Sequence, residues 1–449
     1  MYDLAIIGGG PAGYVAAENA AAKGMKVILF EKRELGGVCL NEGCIPTKTL
    51  LYSAKMYDHA TGGKKYGITA EGVSYEYKKI ADRKTKVVRK LVAGIKLKMQ
   101  EYGVEVINGE AFIAEGNNDC IKICCNDIIY ETRKLLICTG SEAFVPPIPG
   151  VENNEAILTN REILALTAAP ESIVIIGGGV IGMEFASLYN SLGIPVTVIE
   201  MQSEILGGMD REIAGMLRGI YAKRGVKFCM ECKVTRIDGG CVYYTDKEGN
   251  EMQAEGEKIL MSVGRRPVTG GFGLENIDVA VERGIKVNEY MQTSMPNVYA
   301  AGDVTGFSML AHTASREAEV AVNHMLGIDD RMAYNAIPGV VYTNPEVCGT
   351  GLTEEQAEKA DVEYTVHKLP MTYSGRFVAE NEGVTGSCSI LVTSDRKIIG
   401  AHMLGTPASE FIGLVCMAIT TGITVDEFKR VILPHPTVCE IMKETLSKI

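Results

Sequence analysis

Two copies of one glycine pattern constrain the fold of this chain more than any other feature of its 449 residues. The first, residues 8–13 (GGGPAG), follows the apolar run 4–7 and precedes an alanine-rich stretch. The second, residues 177–182 (GGGVIG), follows the apolar run 172–176 and precedes a helical pattern. In such a strand–turn–helix unit the first glycine permits the tight turn, the second lets backbone approach a pyrophosphate, and the third packs helix on strand. The sequence therefore predicts two separate dinucleotide-binding folds.

Each glycine pattern is followed by a second strand pattern that ends in an acidic residue. Residues 26–30 lead to Glu31, and residues 195–199 lead to Glu200. A carboxylate at this position can accept hydrogen bonds from the ribose hydroxyls of an adenosine. Glu200 would also repel a 2′-phosphate, and residues 201–203 (MQS) supply no nearby arginine to hold one. We therefore predict NAD rather than NADP at the second site.

Charge and hydropathy exclude several classes of partner. The net charge is −11 and no basic run exceeds three residues, which argues against nucleic acid as the main partner. Basic residues within 83–90 are interpreted as a solvated helix face, with a polyanion site as the alternative. The longest apolar stretch, 411–420, is too short to span a bilayer. The chain enters a buried strand without a signal-peptide pattern, so we expect a cytoplasmic protein.

Cys39 and Cys44 are separated by four residues and follow the first dinucleotide pattern. A disulfide that stabilises a fold usually closes a long loop, because the entropy removed from the unfolded chain grows with loop length. A helix is predicted to begin near Cys44, over the run 45–56, and its amino-terminal dipole would favour a thiolate there. We therefore predict that this pair is a redox-active disulfide.

The remaining cysteines carry weaker signals. Cys229 and Cys232 have the two-residue spacing of zinc knuckles and thioredoxin motifs. However, they lie in a strand-like run, 226–234, with no second Cys/His pair nearby and no helix opening at Cys232. We interpret them as strand-core residues, and most of the 13 cysteines as reduced packing residues. No metal site is predicted.

Two carboxyl-terminal segments each allow two interpretations. Asp303 ends a strand pattern over 297–303 and could cap the helix expected near Leu310. Taken together with the first dinucleotide pattern, Asp303 is interpreted instead as holding the ribityl or pyrophosphate part of the first ligand, which means that the second domain interrupts the first. His435 is a residue type suited to taking a thiol proton near neutrality, and Glu440 could accept from its Nδ1. The alternative is a partly buried surface histidine beside a helix-capping Thr437.

With these motifs assembled, the chain resembles the flavoprotein disulfide reductases over nearly its whole length. Within this family, the short run 309–312 (MLAH) favours the members that oxidise dihydrolipoamide over those that reduce glutathione. The matching landmarks are residues 8–13, 36–48, 137–141 (ICTGS), 177–182, 262–267 (SVGRRP), 301–303 (AGD), 309–312 (MLAH) and 435–440 (HPTVCE).

The resemblance implies an α/β fold with two Rossmann-like domains, one for FAD and one for NAD, and an α+β carboxyl-terminal dimerisation domain. The expected FAD domain is 1–143, resumed at 265–333. The expected NAD domain is 144–264, and the expected interface domain is 334–449.

The resemblance also implies catalytic roles. Cys39 would be the outer thiol that exchanges with substrate, and Cys44 would lie against the flavin as a charge-transfer partner. Lys48 would lie near flavin N5, with Glu184 as its acidic partner. His435 would be the catalytic base and Glu440 its orienting partner, both supplied across a homodimer to the other subunit's disulfide.

The cofactor-binding residues implied by the resemblance fall into two sets. His312 is included for the backbone contact of its helix amino terminus, not for its side chain. For FAD the residues are Gly8, Gly10, Pro11, Ala12, Gly13, Glu31, Lys32, Gly37, Val38, Lys48, Thr139, Gly140, Ser141, Gly302, Asp303, Met309, Leu310, Ala311 and His312. For NAD they are Gly177, Gly179, Ile181, Gly182, Glu200, Val263 and Gly264.

The activity expected from the resemblance is FAD-dependent oxidation of protein-bound dihydrolipoamide by NAD⁺. We expect no lipoyl-bearing segment before Met1, and we therefore expect the lipoyl group on another protein, in a 2-oxoacid dehydrogenase complex or the glycine cleavage system. Glu42 and Cys439 depart from the pattern of many relatives. The alternatives are an NAD(P)H-driven reductase of another disulfide, an NADH oxidase or peroxidase, which would use one redox cysteine, and a flavin-binding scaffold.

Overall fold

The structure is a computed structural model that describes residues 1–447 and 449. Its strands are β1 (Tyr2–Ile7), β2 (Val27–Glu31), β3 (Glu105–Asn108), β4 (Phe112–Gly116), β5 (Ile121–Cys125), β6 (Ile128–Ile137), β7 (Ser141–Ala143), β8 (Ile157–Leu158), β9 (Ile173–Ile176), β10 (Val196–Ile199), β11 (Lys227–Cys229), β12 (Lys233–Asp238), β13 (Cys241–Thr245), β14 (Glu251–Glu255), β15 (Lys258–Met261), β16 (Arg265–Pro267), β17 (Val298–Ala300), β18 (Gly339–Val341), β19 (Val347–Gly351), β20 (Tyr364–Pro370), β21 (Ser387–Thr393) and β22 (Ile398–Leu404).

Helices alternate with these strands in the manner of an α/β protein. They are α1 (Pro11–Ala22), α2 (Gly37–Glu42), α3 (Cys44–Thr61), α4 (Tyr77–Glu101), α5 (Asn160–Ala165), α6 (Val180–Ser191), α7 (Arg211–Lys223), α8 (Ala311–Met325), α9 (Glu354–Lys359), α10 (Gly375–Glu380), α11 (Ile412–Thr421), α12 (Val425–Arg430) and α13 (Ile441–Leu446).

The first of two compact units contains Met1–Thr49, Ala81–Phe144 and Gly264–Ala333. Its main sheet has the order β3-β2-β1-β6-β5-β4, and β17 also pairs with β6. The pairs of β1 with β2 and β6, of β2 with β3, and of β17 with β6 are parallel. The central strand β1 is apolar because both faces of a parallel sheet are covered, and residues 4–7 are all buried. Helix α1 packs against α8 in this unit.

The second unit contains Leu50–Ile80, Val145–Val263 and Tyr334–Ile449. A five-stranded sheet with the order β11-β10-β9-β15-β8 has only parallel pairs. Strands β12, β13 and β14, which lie between β11 and β15 in the sequence, form a separate antiparallel sheet. The carboxyl-terminal part forms an antiparallel sheet with the order β18-β19-β22-β21-β20, on which α11 and α13 pack. The predicted fold class, two dinucleotide-binding folds with an α+β carboxyl-terminal part, is confirmed.

Nearly all of the predicted NAD and interface segments, 144–264 and 334–449, falls within one compact unit, which contains residues 145–263 and 334–449. The same unit also contains residues 50–80, which the prediction assigned to the FAD domain. Val341, Val347 and Leu404 belong to the same apolar cluster as buried residues of α6 and α7. This shared core explains why the two segments cluster together, and the three-domain division stays a prediction.

The interpretation of 226–234 as one strand is wrong. Strand β11 ends at Cys229 and β12 begins at Lys233. Between them Glu231 has a φ of +55°, a left-handed conformation incompatible with a continuous strand. The turn is held by hydrogen bonds from the Glu231 and Cys232 N–H groups to the carbonyls of Gln202 and Glu200.

Among the described residues, no helix combines the length and the apolar character needed to cross a membrane.

Candidate active site

Three glycines of the first glycine pattern (the first fingerprint, residues 8–13), Gly8, Gly10 and Gly13, have different environments. Gly8 has a φ of +103°, and a Cβ built on it would lie 2.2 Å from the carbonyl oxygen of Cys138. A Cβ on Gly13 would lie 1.8 Å from the Gly8 carbonyl oxygen. By contrast, the nearest atom to a Cβ on Gly10 is a glycine Cα 3.8 Å away, so that side of the backbone is accessible. The turn, the close helix–strand contact and the accessible backbone fit the requirements of a bound pyrophosphate.

Helix α1 begins at Pro11 immediately after this turn. Its N-cap, Gly10, contributes no side chain, and the first helical turn contains no acidic residue. The unpaired N–H groups and the helix dipole at this end therefore favour an anion. Ala12 is buried next to the turn, and the backbone of Gly10 approaches Gly37, which precedes Val38 in α2.

Glu31 is the last residue of β2 and is buried. Its Oε2 accepts a hydrogen bond from the Gly9 N–H at 2.8 Å, and its Oε1 accepts from the Arg33 N–H at 2.7 Å. These two contacts fix the carboxylate against the glycine turn, where an adenosine ribose would lie. The neighbouring Lys32 is exposed and forms an ion pair with Glu110 at 3.0 Å.

The ends of β6 and β17 bring Ser141 and Asp303 together. Ser141 Oγ donates to Asp303 Oδ2 at 2.5 Å. Arg265 Nε donates to Ser141 Oγ at 2.7 Å, and its guanidinium is 4.0 Å from Asp303 Oδ2. Burial raises the pKa of Asp303, whereas Ser141 and Arg265 act in the opposite direction. Asp303 is thus an anchored acid at the carboxyl end of a parallel sheet, the edge at which such folds bind ligands.

Glu317 supports this edge and was not predicted. It is 0% exposed on α8, and its Oε2 accepts from the Gly302 N–H at 2.6 Å. Gly302 has a φ of +83°, and a Cβ built on it would lie 3.3 Å from the Ala314 Cβ and 3.5 Å from the Ala12 Cβ. The contact holds the backbone that positions Asp303.

Two more predicted FAD segments lie in the same unit. Thr139 Oγ1 donates to the Val268 carbonyl at 2.7 Å, and Gly140 has a φ of +73°. Residues 309–312 lead into α8, whose N-cap Leu310 offers no side-chain hydrogen bond and whose first turn has no acid. Met309 and His312 are exposed, while Ala311 begins the helix. The uncapped N-terminus suits backbone donation to a polar ligand edge.

Cys39 lies in α2, and Cys44 is the first residue of α3, as predicted. The two thiols are hydrogen-bonded, and this bond and burial raise the pKa of Cys39. The Lys48 ammonium, one turn after Cys44, has the opposite effect on Cys39. Cys44 begins the 18-residue helix α3, and the amino-terminal end of a helix favours a negatively charged group such as a thiolate.

The second fingerprint repeats the geometry of the first. Gly177 has a φ of +100°, and a Cβ on it would lie 2.5 Å from the Ser262 carbonyl oxygen. A Cβ on Gly182 would lie 2.0 Å from the Gly177 carbonyl oxygen, whereas Gly179 has nothing within 4 Å. Helix α6 begins at Val180 with neither a side-chain cap nor an acid in its first turn. This site also fits a dinucleotide pyrophosphate.

Glu200 has the same two contacts as Glu31. Its Oε2 accepts from the Gly178 N–H at 2.6 Å, and its Oε1 accepts from the Gln202 N–H at 2.7 Å. An arginine that the local sequence did not indicate lies nearby, since Arg211 donates to Ser203 Oγ at 2.9 Å. Arg211 is also 3.9 Å from the carboxylate of Glu355, in an ion pair between two exposed side chains.

The other residues predicted to bind NAD or to act in catalysis range from exposed to buried. Ile181 is half-buried in α6, Val263 is exposed, and Gly264 has a φ of +125°. Glu184 is buried in α6, and its Oε1 accepts from the Tyr342 N–H at 3.1 Å.

His435 and Glu440 are in contact outside the regular helices. His435 Nδ1 is 3.0 Å from Glu440 Oε1, and Glu440 Oε2 accepts from the Thr437 N–H at 2.8 Å. The Thr437 N–H, followed by His435, lowers the pKa of Glu440. The His435 side chain is 82% exposed. Thr437 and Glu440 also form a capping box, as the alternative interpretation expects, but His435 is exposed rather than partly buried.

Within residues 1–447 and 449, no group of three or more His, Cys, Asp or Glu side chains is arranged to hold a metal ion.

Because the resemblance implies that FAD binds at the first glycine pattern, we expect Gly8→Ala to yield protein that retains little flavin. The new methyl group would collide with the Cys138 carbonyl and would also require a left-handed alanine. Gly24→Ala is the matched control, because Gly24 has a φ of +87° but open space around it. It should cost about 1–2 kcal/mol and keep the flavin. Flavin absorbance per purified chain measures the effect, and full flavin content in Gly8→Ala would contradict this account of the turn.

Two family models match this chain. One, described as pyridine nucleotide-disulphide oxidoreductase, matches residues 2–318. The other, described as the dimerisation domain of pyridine nucleotide-disulphide oxidoreductases, matches residues 337–446. The carboxyl-terminal part is therefore a dimerisation domain.

Full-length relatives and solved structures are also similar to this chain. A dihydrolipoyl dehydrogenase of Mycoplasma pneumoniae is 36% identical, covering 100% of this chain and 98% of its own length. One of Bacillus subtilis is 35% identical, covering 99% and 97%. The structure of LpdA from Mycobacterium tuberculosis aligns with a TM-score of 0.91 at 27% identity, covering 99% of both chains. The HOCl-induced flavoprotein disulfide reductase RclA from Escherichia coli aligns with a TM-score of 0.87 at 27% identity, covering 100% of both.

Proposed function

Because the chain belongs to the pyridine nucleotide-disulphide oxidoreductase family, we propose that it is an FAD-dependent dihydrolipoamide dehydrogenase that uses NAD⁺. The observation that carries the proposal is the hydrogen-bonded pair Cys39 and Cys44, at the start of α3, in a chain similar over its full length to dihydrolipoyl dehydrogenases. Two adjacent thiols suit an exchange with a dithiol substrate, which a single redox cysteine could not complete alone.

The first unit offers the residues that would hold FAD. The glycine turn and the N-terminus of α1 suit its pyrophosphate, Glu31 its ribose, and Asp303 its ribityl chain. When bound, FAD supplies the two-electron chemistry that connects the dithiol with NAD⁺. We assign Lys48 and the N-terminus of α8 to the same site, and Glu184 to the catalytic set, on the basis of the family resemblance.

The protein's own part of the reaction is a thiol–disulfide exchange. A dihydrolipoamide thiolate attacks Cys39 Sγ of the oxidised pair, which breaks the Cys39–Cys44 bond and leaves Cys44 as a thiolate. The second substrate thiol gives its proton to His435 and attacks the substrate sulfur of the mixed disulfide. Cyclic lipoamide leaves, and Cys39 takes up the proton that His435 received, whereas the proton of the first substrate thiol has gone to solvent. The substrate has lost two electrons and the cysteine pair has gained them.

His435 fits the base in this exchange because its Nδ1 contacts a carboxylate that stays ionised. With Nδ1 held by Glu440, Nε2 is the nitrogen available to accept a thiol proton. We propose that His435 acts on the disulfide of the other subunit in a homodimer built by the dimerisation domain. The substrate would be carried by the lipoyl-bearing protein of a 2-oxoacid dehydrogenase complex or of the glycine cleavage system.

Glu200→Gln is expected to raise the KM for NAD⁺ by roughly 10- to 100-fold, since hydrogen bonds to a charged group contribute about 1.5–3 kcal/mol. It should also weaken the preference for NAD⁺ over NADP⁺, because the charge that repels a 2′-phosphate is removed. Glu248→Gln, on an exposed loop of the same unit, is the matched control. Steady-state kinetics with both dinucleotides measure the effect. An unchanged KM would contradict the assignment of Glu200 to the ribose.

Two assays of the purified, flavin-loaded full-length protein test the proposed function. One follows NADH formation from dihydrolipoamide and NAD⁺, and the other follows glutathione disulfide reduction by NADH or NADPH. The proposal predicts that kcat/KM in the first assay exceeds that in the second by roughly 100-fold or more. Negligible lipoamide turnover beside brisk reduction of another disulfide would favour the NAD(P)H-driven reductase instead.

A further inference from the structure

A second pair of nearby cysteines, Cys229 and Cys232, lies at the carboxyl end of the parallel sheet in the second unit. Cys229 ends β11, and the two residues between the cysteines form the left-handed turn at Glu231. Cys229 Sγ is 3.2 Å from the hydroxyl of Tyr244, and Cys232 Sγ donates to the Met230 carbonyl at 3.2 Å. Both cysteines pack in one apolar cluster with Tyr244. A pair with this spacing can close into an intramolecular disulfide.

The turn that carries these cysteines is bonded directly to Glu200. The Glu200 N–H donates to the Cys229 carbonyl at 2.9 Å, and the Cys232 N–H donates to the Glu200 carbonyl at 2.9 Å. The Glu231 N–H extends the contact to the Gln202 carbonyl at 3.1 Å. Gln202 in turn donates its own N–H to the Glu200 carboxylate. A change in the shape of this turn therefore reaches the carboxylate assigned to the ribose through four hydrogen bonds.

The two sulfurs differ in access. Cys229 is half-buried, whereas Cys232 is 6% exposed, and burial followed by the nearby Cys229 raises its pKa. Cys229 is thus the thiol that an external reagent reaches first, and Cys232 is positioned to resolve a mixed disulfide on it. Cys348 and Cys388, at 0% exposure, lack such access.

We propose that Cys229 and Cys232 form a thiol modification site whose oxidation to a disulfide weakens dinucleotide binding at Glu200. The oxidant is a low-molecular-weight disulfide, RSSR. Cys229 attacks one sulfur and releases RSH, and Cys232 then attacks Cys229 Sγ of the mixed disulfide and releases a second RSH. The protein loses two electrons and two protons, which the two RSH molecules carry away. The inference rests on the proposed function only through the assignment of the second fingerprint to NAD.

Disulfide formation removes the Cys232 S–H bond to Met230 and draws Cys229 Sγ away from the Tyr244 hydroxyl. Both contacts are made by the cysteines of the turn whose backbone is hydrogen-bonded to Glu200, so we expect their loss to change the shape of that turn. We expect the dissociation constant for NAD⁺ to rise about tenfold on oxidation, within the usual range of coupling between linked sites. Reduction should restore the affinity, because the disulfide is the only covalent bond that changes and the two thiol contacts can form again.

The test uses the full-length, flavin-loaded protein with Cys39→Ser and Cys44→Ser, so that the first pair cannot contribute. The protein is treated with bis(2-hydroxyethyl) disulfide or with dithiothreitol, disulfides are mapped by peptide mass spectrometry, and NAD⁺ binding is measured by calorimetry. The proposal predicts a Cys229–Cys232 bond, about tenfold weaker binding, and recovery with dithiothreitol. Adding Cys229→Ser and Cys232→Ser should abolish the response, whereas adding Cys241→Ser, a half-buried neighbour on β13, should preserve it.

Three results would overturn the proposal, and they are distinguishable. A Cys229–Cys232 bond with unchanged NAD⁺ binding would remove the regulatory role alone. Weaker binding that persists without Cys229 and Cys232 would assign the response to another thiol. Failure of the reduced protein to bind NAD⁺ at all would contradict the assignment of the second fingerprint in the proposed function, and the regulation with it.

Discussion

Cys44→Ser is expected to lower lipoamide turnover by roughly 1,000-fold or more, the scale of losing a catalytic nucleophile. It should also abolish the long-wavelength absorbance of the two-electron-reduced, flavin-loaded protein, because we assign that absorbance to charge transfer between a Cys44 thiolate and the flavin. Cys39→Ser should lose turnover to a similar extent but retain absorbance that depends on a thiolate at Cys44. The structure supports this asymmetry, because the hydrogen bond between the thiols and burial raise the pKa of Cys39, while Cys44 begins the 18-residue helix α3.

Turnover assays and anaerobic absorbance spectra of both variants measure this difference. Cys120→Ser is a matched control, because Cys120 is half-buried in the same unit and lies outside the proposed site. Its kinetics and spectra should equal those of the unaltered protein. Near-normal turnover in Cys44→Ser would favour a scaffold role, and identical spectra of the two variants would contradict the different roles of the two sulfurs.

His435→Gln is expected to lower kcat by about 100- to 10,000-fold, the range for loss of a general base. Glu440→Gln should have a smaller effect, because it removes an orienting contact and leaves the base in place. The lowered pKa of Glu440 indicates how its ionisation contributes to the pH dependence of activity. Its carboxylate stays ionised to a lower pH than an ordinary glutamate does, so its protonation is not expected to cause the activity loss in mild acid.

The pH profile of kcat/KM therefore separates the two side chains. The acidic limb should be absent in His435→Gln and present in Glu440→Gln, because only the first variant lacks the group that must be unprotonated. His59→Gln, an exposed histidine on α3, is the control and should leave kcat unchanged. An acidic limb that persists in His435→Gln would assign the proton transfer to another residue.

Local patterns in the sequence predicted those parts of the fold that depend on neighbouring residues. The strand–glycine–helix units, the acids at the ends of β2 and β10, and the start of α3 at Cys44 follow from hydrophobic periodicity and turn chemistry. Each of these features is complete within about 30 residues, the size of a βαβ unit.

Contacts between distant segments could not be predicted in this way. Glu317 reaches Gly302 from inside a helix, where a buried charge has no local signature. Arg265 reaches Ser141, and Arg211 lies beside Ser203 across a loop. The turn at Glu231 was missed because its surrounding residues have strand propensity, and hydrogen bonds to residues 200 and 202 override that propensity.

The central claim is that Cys39 and Cys44 transfer electrons between a dithiol substrate and a flavin. An anaerobic titration of the flavin-loaded protein with dihydrolipoamide tests it most directly. The account predicts that the first two electrons produce a species with long-wavelength absorbance and leave two alkylatable thiols, identified as Cys39 and Cys44. Bleaching of the flavin without that absorbance, or no reduction by dihydrolipoamide, would contradict the account.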